Sequence, residues 1–326
     1  MTNTQTPKDG EIRNLVYPCP VDHNGFTINI IGWKVEGSVK PPLIFAHDIG
    51  ESIERYTALA MKLAEAGYSV YAFDMRGHGH SGKKIEDISS FSLLVNDLLQ
   101  VVAFVKFKEE SRRPIIIARG MGALIALTFT KMHKKFVSGV VFASPMFNLN
   151  YNLTPLRRFL IRTVADVLPS ISLPRWLSPA FTNASQETYV MDPNKIHPKM
   201  SSHFTFELLN YVGQSRKLLR RLNLPTLLIC PENDPALRYE FLKPLVQRHS
   251  HSDKFTLKFV KGEDNLPLEH GGNTLKYLSS TIISWLGEVA DRQKARSQGL
   301  IEIAKEKKGP TIVSEATTDI KPLQEG

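Results

Sequence analysis

Six short apolar or β-branched runs punctuate this chain: "PPLIFAH", "YSVYAFD", "RPIIIA", "SGVVFAS", "PTLLIC" and "FTLKFV". Each has the length and composition of a buried strand. Between and after them lie amphipathic helical patterns, "RYTALAMKLAEAG", "SSFSLLVNDLLQVVAFVKF", "GALIALTFTKMH" and "TLKYLSSTIISWLGEV". Strands alternating with helices predict an α/β fold, with a mostly parallel central sheet covered by helices on both faces. Upstream, "VDHNGFTINIIGWKV" predicts a hairpin turning at Asn24-Gly25, because Asn-Gly tolerates positive φ.

The alternation stops after Ser144. From Met146 to Leu222 come helix-like pieces and prolines, which predict a helical cap inserted over the carboxyl ends of the strands, where such sheets bind ligands. Within it "PLRRFLIRTVADVLP" places Leu156, Phe159, Leu160, Val164, Val167 and Leu168 roughly on one face. A lid helix packed on the core is the commoner use of such a stripe, and contact with a membrane surface the rarer one. The chain therefore divides into a disordered arm (1–12), a first core segment (13–145), the cap (146–222), a second core segment (223–290) and a charged, disordered tail (291–326) in which "GLIEIAKEK" is a candidate short helix.

The 326 residues admit one large α/β domain or two small ones, and 42% apolar content suffices for a sizeable core. The apolar runs fall short of a membrane span, and Met1–Asn14 has no apolar segment of the kind a signal peptide needs. Cys19 and Cys230 make no disulfide framework or metal spacing, so the expected location is cytoplasmic, with peripheral contact at a membrane the variant. Of the net charge of +9, most lies in 146–222, where ten basic residues face four acidic ones. This suits an anionic lipid surface or an acidic protein partner; solvated helix faces are the commoner explanation, and no nucleic acid is expected.

In "IIIARGMGALIAL" an apolar strand meets a glycine-bracketed turn and a helix at once. Strand, tight turn and helix in that order describe the turn that lifts a nucleophilic serine above a sheet in G-x-S-x-G proteins. Here it reads Ala118-Arg119-Gly120-Met121-Gly122, without a serine. "FDMRGHGHSG" supplies Gly77, Gly79 and Gly82 in G-x-G-x-x-G spacing, but it follows a later strand and the acid about twenty residues on, Asp97, falls inside a helical pattern. A dinucleotide site is thereby excluded. His78 and His80 have no acid or cysteine cluster beside them, so neither a metal nor another cofactor is expected.

From about Asn14 to Ala290 the chain resembles the α/β-hydrolases, in the monoacylglycerol lipase and lysophospholipase branch (serine aminopeptidase S33-like). Five landmarks occur in order: "IFAHDIGESIERY" at the oxyanion loop, "FDMRGHGHSG" after the next strand, "IIIARGMGA" at the elbow, "LLICPENDP" at the acid strand and "FVKGEDNLPLEH" at the histidine loop. The resemblance implies acyl transfer by a serine, histidine and aspartate with two backbone N–H groups binding the oxyanion. The triad-equivalent positions are Gly120, Asp234 and Asn265, so the implied nucleophile and base are absent. Glycine suits the strained elbow, and asparagine accepts no proton near neutral pH. His270 is the nearest substitute base, and Ser81 and Ser144 lie near strand ends but on no elbow.

In the oxyanion loop Asp48 replaces a glycine. The N–H of Met121 and one from Asp48–Ile49 are the implied donors. A carboxylate about 4 Å from a developing oxyanion would repel it by roughly 4 kcal/mol at an effective dielectric near 20. Arg119 stands where the family usually has histidine; its guanidinium pairs with Asp48 or Asp234, or holds a ligand carboxylate or phosphate. Asp48, Ile49, Arg119 and Met121 are the candidate ligand-binding residues.

Three functions follow. A catalytically inactive lipase-like protein would bind a small acyl-bearing or anionic ligand, or a partner, through its pocket and basic cap. A carboxylic-ester hydrolase would work with displaced residues such as His270. A structural platform would have a pocket closed by its own side chains.

Overall fold

The structure is a computed structural model that describes residues 8–21, 25–82, 88–148, 154–173, 177, 200–232, 244, 247, 254–260 and 272–297. Its centre is an eight-stranded sheet. The strands are β1 (Ile12–Pro20), β2 (Thr27–Val35), β3 (Leu43–Ala46), β4 (Val70–Phe73), β5 (Ile115–Arg119), β6 (Gly139–Pro145), β7 (Thr226–Pro231) and β8 (Phe255–Val260). Their order across the sheet is β1-β2-β4-β3-β5-β6-β7-β8. β1 and β2 form an antiparallel hairpin, β2 meets β4 antiparallel, and from β4 to β8 every pairing is parallel. All six predicted apolar runs are strands of the sheet.

The helices are α1 (Thr57–Glu65), α2 (Phe91–Lys108), α3 (Gly120–His133), α4 (Pro155–Val167), α5 (Ser202–Arg221) and α6 (Asn273–Ser297). Two apolar layers sandwich the sheet. On one face Ile28, Ile30, Ile44, Ile116 and Phe142 pack with α2, α3 and α5. On the other Leu43, Phe45, Ile115, Ile117 and Leu227 pack with α1 and α6. Alternation of side chains along each strand feeds both layers, so β3 and β5 are buried at every position. Ser90 caps α2 by accepting from the Ser92 N–H, Thr154 caps α4 ahead of Pro155, and Ser201 caps α5.

Several expectations need adjustment. Residues 8–12 are not a free arm: the Gly10 N–H donates to the Glu36 carbonyl, and Ile12 begins β1. The hairpin's first strand therefore precedes "VDHNG", and Asn24 lies outside the described residues. α6 continues to Ser297, past the expected boundary at 290, where Arg292 reaches back to Glu288 one turn earlier. Among the described residues, two helices, α4 and α5, stand between β6 and β7 and pack on one another. α4 buries Ile161 and Ala165, to one side of the predicted stripe, leaving Leu156, Phe159, Val167 and Leu168 exposed. An apolar stripe read from spacing alone does not fix which side of it a partner helix takes. Among the described residues no helix is long and apolar enough to cross a membrane.

Candidate functional site at the elbow

β3 and β5 are neighbours, with Ala46 opposite Ala118, yet the chain leaves β3 toward β4 on one side and returns to β5 on the other. The loops after these two strands therefore diverge, at the switch point where such sheets hold ligands. One is the loop 47–51; the other is the β5–α3 turn.

The turn has the geometry of a nucleophile elbow. Arg119 is extended at the end of β5, Gly120 adopts φ +49°, and α3 begins without a spacer. That φ is strained for any residue with a Cβ. At Gly122 a Cβ would lie 2.4 Å from the His47 carbonyl oxygen, so glycine lets α3 pack directly on the end of β3. Together the two glycines place the Met121 N–H at the end of β5, where it meets Asp48.

The loop is held from below by two buried histidines. His47 Nε2 accepts from the Met75 N–H at 2.8 Å, and its Nδ1 lies 2.7 Å from the Asp48 carbonyl. His78 Nε2 accepts from the Gly50 N–H at 3.0 Å, with Nδ1 3.1 Å from the Arg76 carbonyl. Each ring is thus neutral with its proton on Nδ1. Burial lowers both pKa values, that of His78 to about 3 with His47 adding to the effect. These histidines are scaffold, and His80 is exposed. Ser81 is also spoken for: it donates to the Asp74 carbonyl at 2.6 Å and accepts from the Asn29 N–H at 2.9 Å. Asp97 forms a buried two-point pair with Arg76 at 2.8 and 2.9 Å.

Asp48 occupies the centre of the site. Its Oδ1 accepts from the Met121 N–H at 2.7 Å and from the Ile49 N–H at 2.7 Å. These are the two amides that the resemblance assigns to an oxyanion, converging on one oxygen as an oxyanion hole requires. The rest of the carboxylate covers the elbow: an ideal Cβ on Gly120 would lie 1.8 Å from Asp48 Cγ. The Asp48 side chain and a nucleophile's side chain therefore claim the same volume. Asp48 itself stays partly exposed to solvent.

Behind it sits Glu51, which sequence reasoning missed. Its Oε2 accepts from the Tyr56 hydroxyl at 2.6 Å and the Asp48 N–H at 3.0 Å, and its Oε1 lies 3.0 Å from Arg119 Nη1 and 3.2 Å from Arg55 Nη1. Glu51 is 3% exposed and Arg119 equally so, making the pair a buried one. Of the two expected partners, Asp48 is near enough for its charge to be felt and Asp234 lies outside the described residues; among the described residues the ion pair is made with Glu51. The signal was present in the i, i+4 spacing of Glu51 and Arg55, with Tyr56 next.

Burial pushes the Asp48 carboxyl up to about 6, and repulsion from Glu51 adds to this against the pull of Arg119 and the two amides. Burial would also raise Glu51, but Arg119, Arg55 and the Tyr56 hydroxyl hold it below the usual range. A carboxyl raised on folding keeps its proton in the native state while the unfolded chain has lost it, so its stabilising contribution is full below about pH 4 and fades as pH rises through 6. Urea unfolding between pH 4 and 7 should show that decline, at most ~3 kcal/mol for a shift of about two units. Asp48→Asn should flatten it; an unchanged slope in that variant would assign the titration elsewhere.

The site thus brings together Asp48, Ile49, Gly120 and Met121, with Arg119 one layer back. Asp234, Asn265 and His270 lie outside the described residues. Among the described residues no cluster of histidine, cysteine and acidic side chains could hold a metal.

The chain matches the profile of the serine aminopeptidase S33 family over residues 37–262, more than half its length. It is 29% identical to the monoglyceride lipase of Rattus norvegicus over 262 residues, 79% of this chain and 85% of that protein. It is 24% identical to the monoacylglycerol lipase of Mycolicibacterium smegmatis over 224 residues, 68% and 80% of the two chains. The crystal structure of the Paleococcus ferrophilus monoacylglycerol lipase superposes with a TM-score of 0.63 at 20% identity, covering 86% of this chain and 99% of that one. With the elbow, the switch-point loop and the sheet order already in place, this chain belongs to the serine aminopeptidase S33 family of α/β-hydrolases, in its monoacylglycerol lipase-like branch.

Proposed function

We propose that this protein is a non-hydrolysing member of its branch, which binds a small acyl-bearing ligand in the elbow crevice without cleaving it. The observation that carries this reading is the Asp48 carboxylate, seated on the Met121 and Ile49 amides above a glycine elbow. Hydrolysis by the family's chemistry needs a nucleophile at the elbow and empty donors for the oxyanion. Gly120 supplies no nucleophile, and both donors are engaged by the chain itself. At the histidine position the sequence has Asn265. Removing the serine or the histidine of such a triad alone costs on the order of 10⁶ in turnover, because the residues act as a unit.

A ligand-binding role is favoured over a closed platform because solvent still reaches Asp48. The acyl-bearing ligand class is taken from relatives that are monoglyceride and monoacylglycerol lipases. The exposed basic residues Arg158, Arg162, Arg216, Lys217, Arg220 and Arg221 on α4 and α5 suit a second contact, with an acidic protein or an anionic membrane surface.

The test is hydrolysis of a panel of p-nitrophenyl and monoacylglycerol esters by the purified full chain. The expected result is no turnover above buffer. Turnover that disappears in His270→Ala would replace this reading with a hydrolase built on displaced residues.

A further inference from the structure

An oxyanion hole is a place for acceptors: its amides point at an oxygen that carries, or is gaining, negative charge. In this chain those amides are saturated from within. Asp48 Oδ1 takes both at 2.7 Å, so what the crevice meets is no longer a pair of N–H donors but the remaining face of a carboxylate. Asp48 Oδ2 has no hydrogen-bond partner among the described residues, and the side chain keeps partial exposure. The polarity of the site is inverted.

The nearby charges do not undo this inversion. Arg119 and Arg55 both lie on Glu51, whose other oxygen is taken by the Tyr56 hydroxyl and the Asp48 N–H. Arg119 is 3% exposed and held on Glu51, so its charge is already matched within the protein. Two carboxylates and two guanidiniums balance locally; Glu51 and Arg119 are buried, Arg55 is partly exposed but engaged on Glu51, and Asp48 is partly exposed with an oxygen to spare. A ligand carboxylate or phosphate would meet a like charge at Asp48, with both elbow amides already engaged.

A second polar feature lies beside the elbow. Arg119 pairs with Ala143, but Gly120 pairs with Pro145, so Ser144 is an extra residue opposite the turn. It adopts φ +43°, a strained conformation for serine, and its Oγ is buried without a hydrogen-bond partner among the described residues. Bulges of this kind are common beside binding sites, where they re-aim a side chain, and a buried hydroxyl left without a partner is unfavourable. Asp48 Oδ2 accepts only, so a head group that offers hydrogens suits it, and the Ser144 hydroxyl can adapt to either kind of partner.

We infer that Asp48 converts the oxyanion hole into a cation-accepting site, so that the crevice selects an amphiphile with a protonated amine head group and rejects fatty carboxylates. The apolar chain of that amphiphile rests on the binding role proposed above; the choice of head group rests on Asp48 alone. It also departs from the anionic ligand that the basic composition suggested, since the net charge of +9 belongs to the surface and not to this crevice.

The experiment is calorimetric titration of the full chain at pH 7.5 with n-octylammonium and with octanoate, both below their micellar concentrations. The native protein should bind the ammonium at least tenfold more tightly, against the trend its basic surface imposes on non-specific binding. Asp48→Asn, which keeps shape and removes charge, should abolish the preference, and Asp48→Gly, which frees both amides, should reverse it. Equal or tighter binding of octanoate by the native protein would overturn the inference while leaving a ligand-binding role intact. Binding of neither amphiphile by any of the three proteins would overturn the binding role itself. An ammonium preference that persists in Asp48→Asn would remove Asp48 as its cause and sink the inference equally.

Discussion

Gly120→Ser on its own should yield no esterase and should cost about 2–4 kcal/mol of stability, read by urea unfolding at pH 7.5. The Cβ it introduces falls 1.8 Å from Asp48 Cγ, and the serine must also hold φ +49°. Asp48 cannot step aside cheaply, because doing so breaks its bonds from the Met121 and Ile49 amides. Removing Asp48 in the same molecule vacates the volume and the hole together. The double variant Asp48→Gly, Gly120→Ser should therefore be less destabilised than the two single costs predict, with a coupling of ~2 kcal/mol. Additive costs would show that the carboxylate has room to move and would remove the reason for treating the two positions as one change. Rebuilding an esterase then also requires Asn265→His, and the triple variant, not the serine variant alone, is the form in which activity should appear.

The second large effect belongs to Glu51. Replacing it by alanine should cost about 3–5 kcal/mol, because it strands the buried Arg119 guanidinium and removes the acceptor for the Tyr56 hydroxyl and the Asp48 N–H. Glu51→Gln keeps the shape and should lose less. In either variant the repulsion that helps raise Asp48 is gone, so the decline in stability between pH 4 and 6 should shrink along with it. A Glu51→Ala protein as stable as the native one would mean that Arg119 finds another partner, and the layered arrangement of Asp48, Glu51 and Arg119 would have to be redrawn.

Most of the sheet was legible before any coordinate. "RPIIIA" and "SGVVFAS" announce buried parallel strands because both faces of such strands are covered and every position can be apolar. The exceptions are instructive. β1 spans "IRNLVYPCP", an edge strand with exposed Val16 and alternating burial, and its polar positions and prolines hid it from a reading tuned to apolar runs. The end of α6 was placed too early because charged residues such as Arg292 extend a helix as well as they extend a tail, provided partners such as Glu288 lie one turn back. In α4 the residues with helical spacing were identified, but the neighbour that chose Ile161 over Phe159 for burial was not.

At the site, the local chain alone determined the elbow. A strand, Gly120 at a φ that only glycine adopts without strain, and a helix starting at once are consequences of a few consecutive residues, and so is the missing nucleophile. What Asp48 and Arg119 do was decided by tertiary structure. Both were singled out as neighbours by motif, but a charged side chain takes the partner that lies within reach once the strands are side by side. The pairing of Ala46 with Ala118 sets β3 and β5 in register, which carries Asp48 over Gly120 and onto the elbow amides. The turn of the loop after Asp48 then brings Glu51 beneath it, 3.0 Å from Arg119 Nη1. Sequence determines which groups are available; distances of a few ångströms between loops far apart in the chain determine which of them meet.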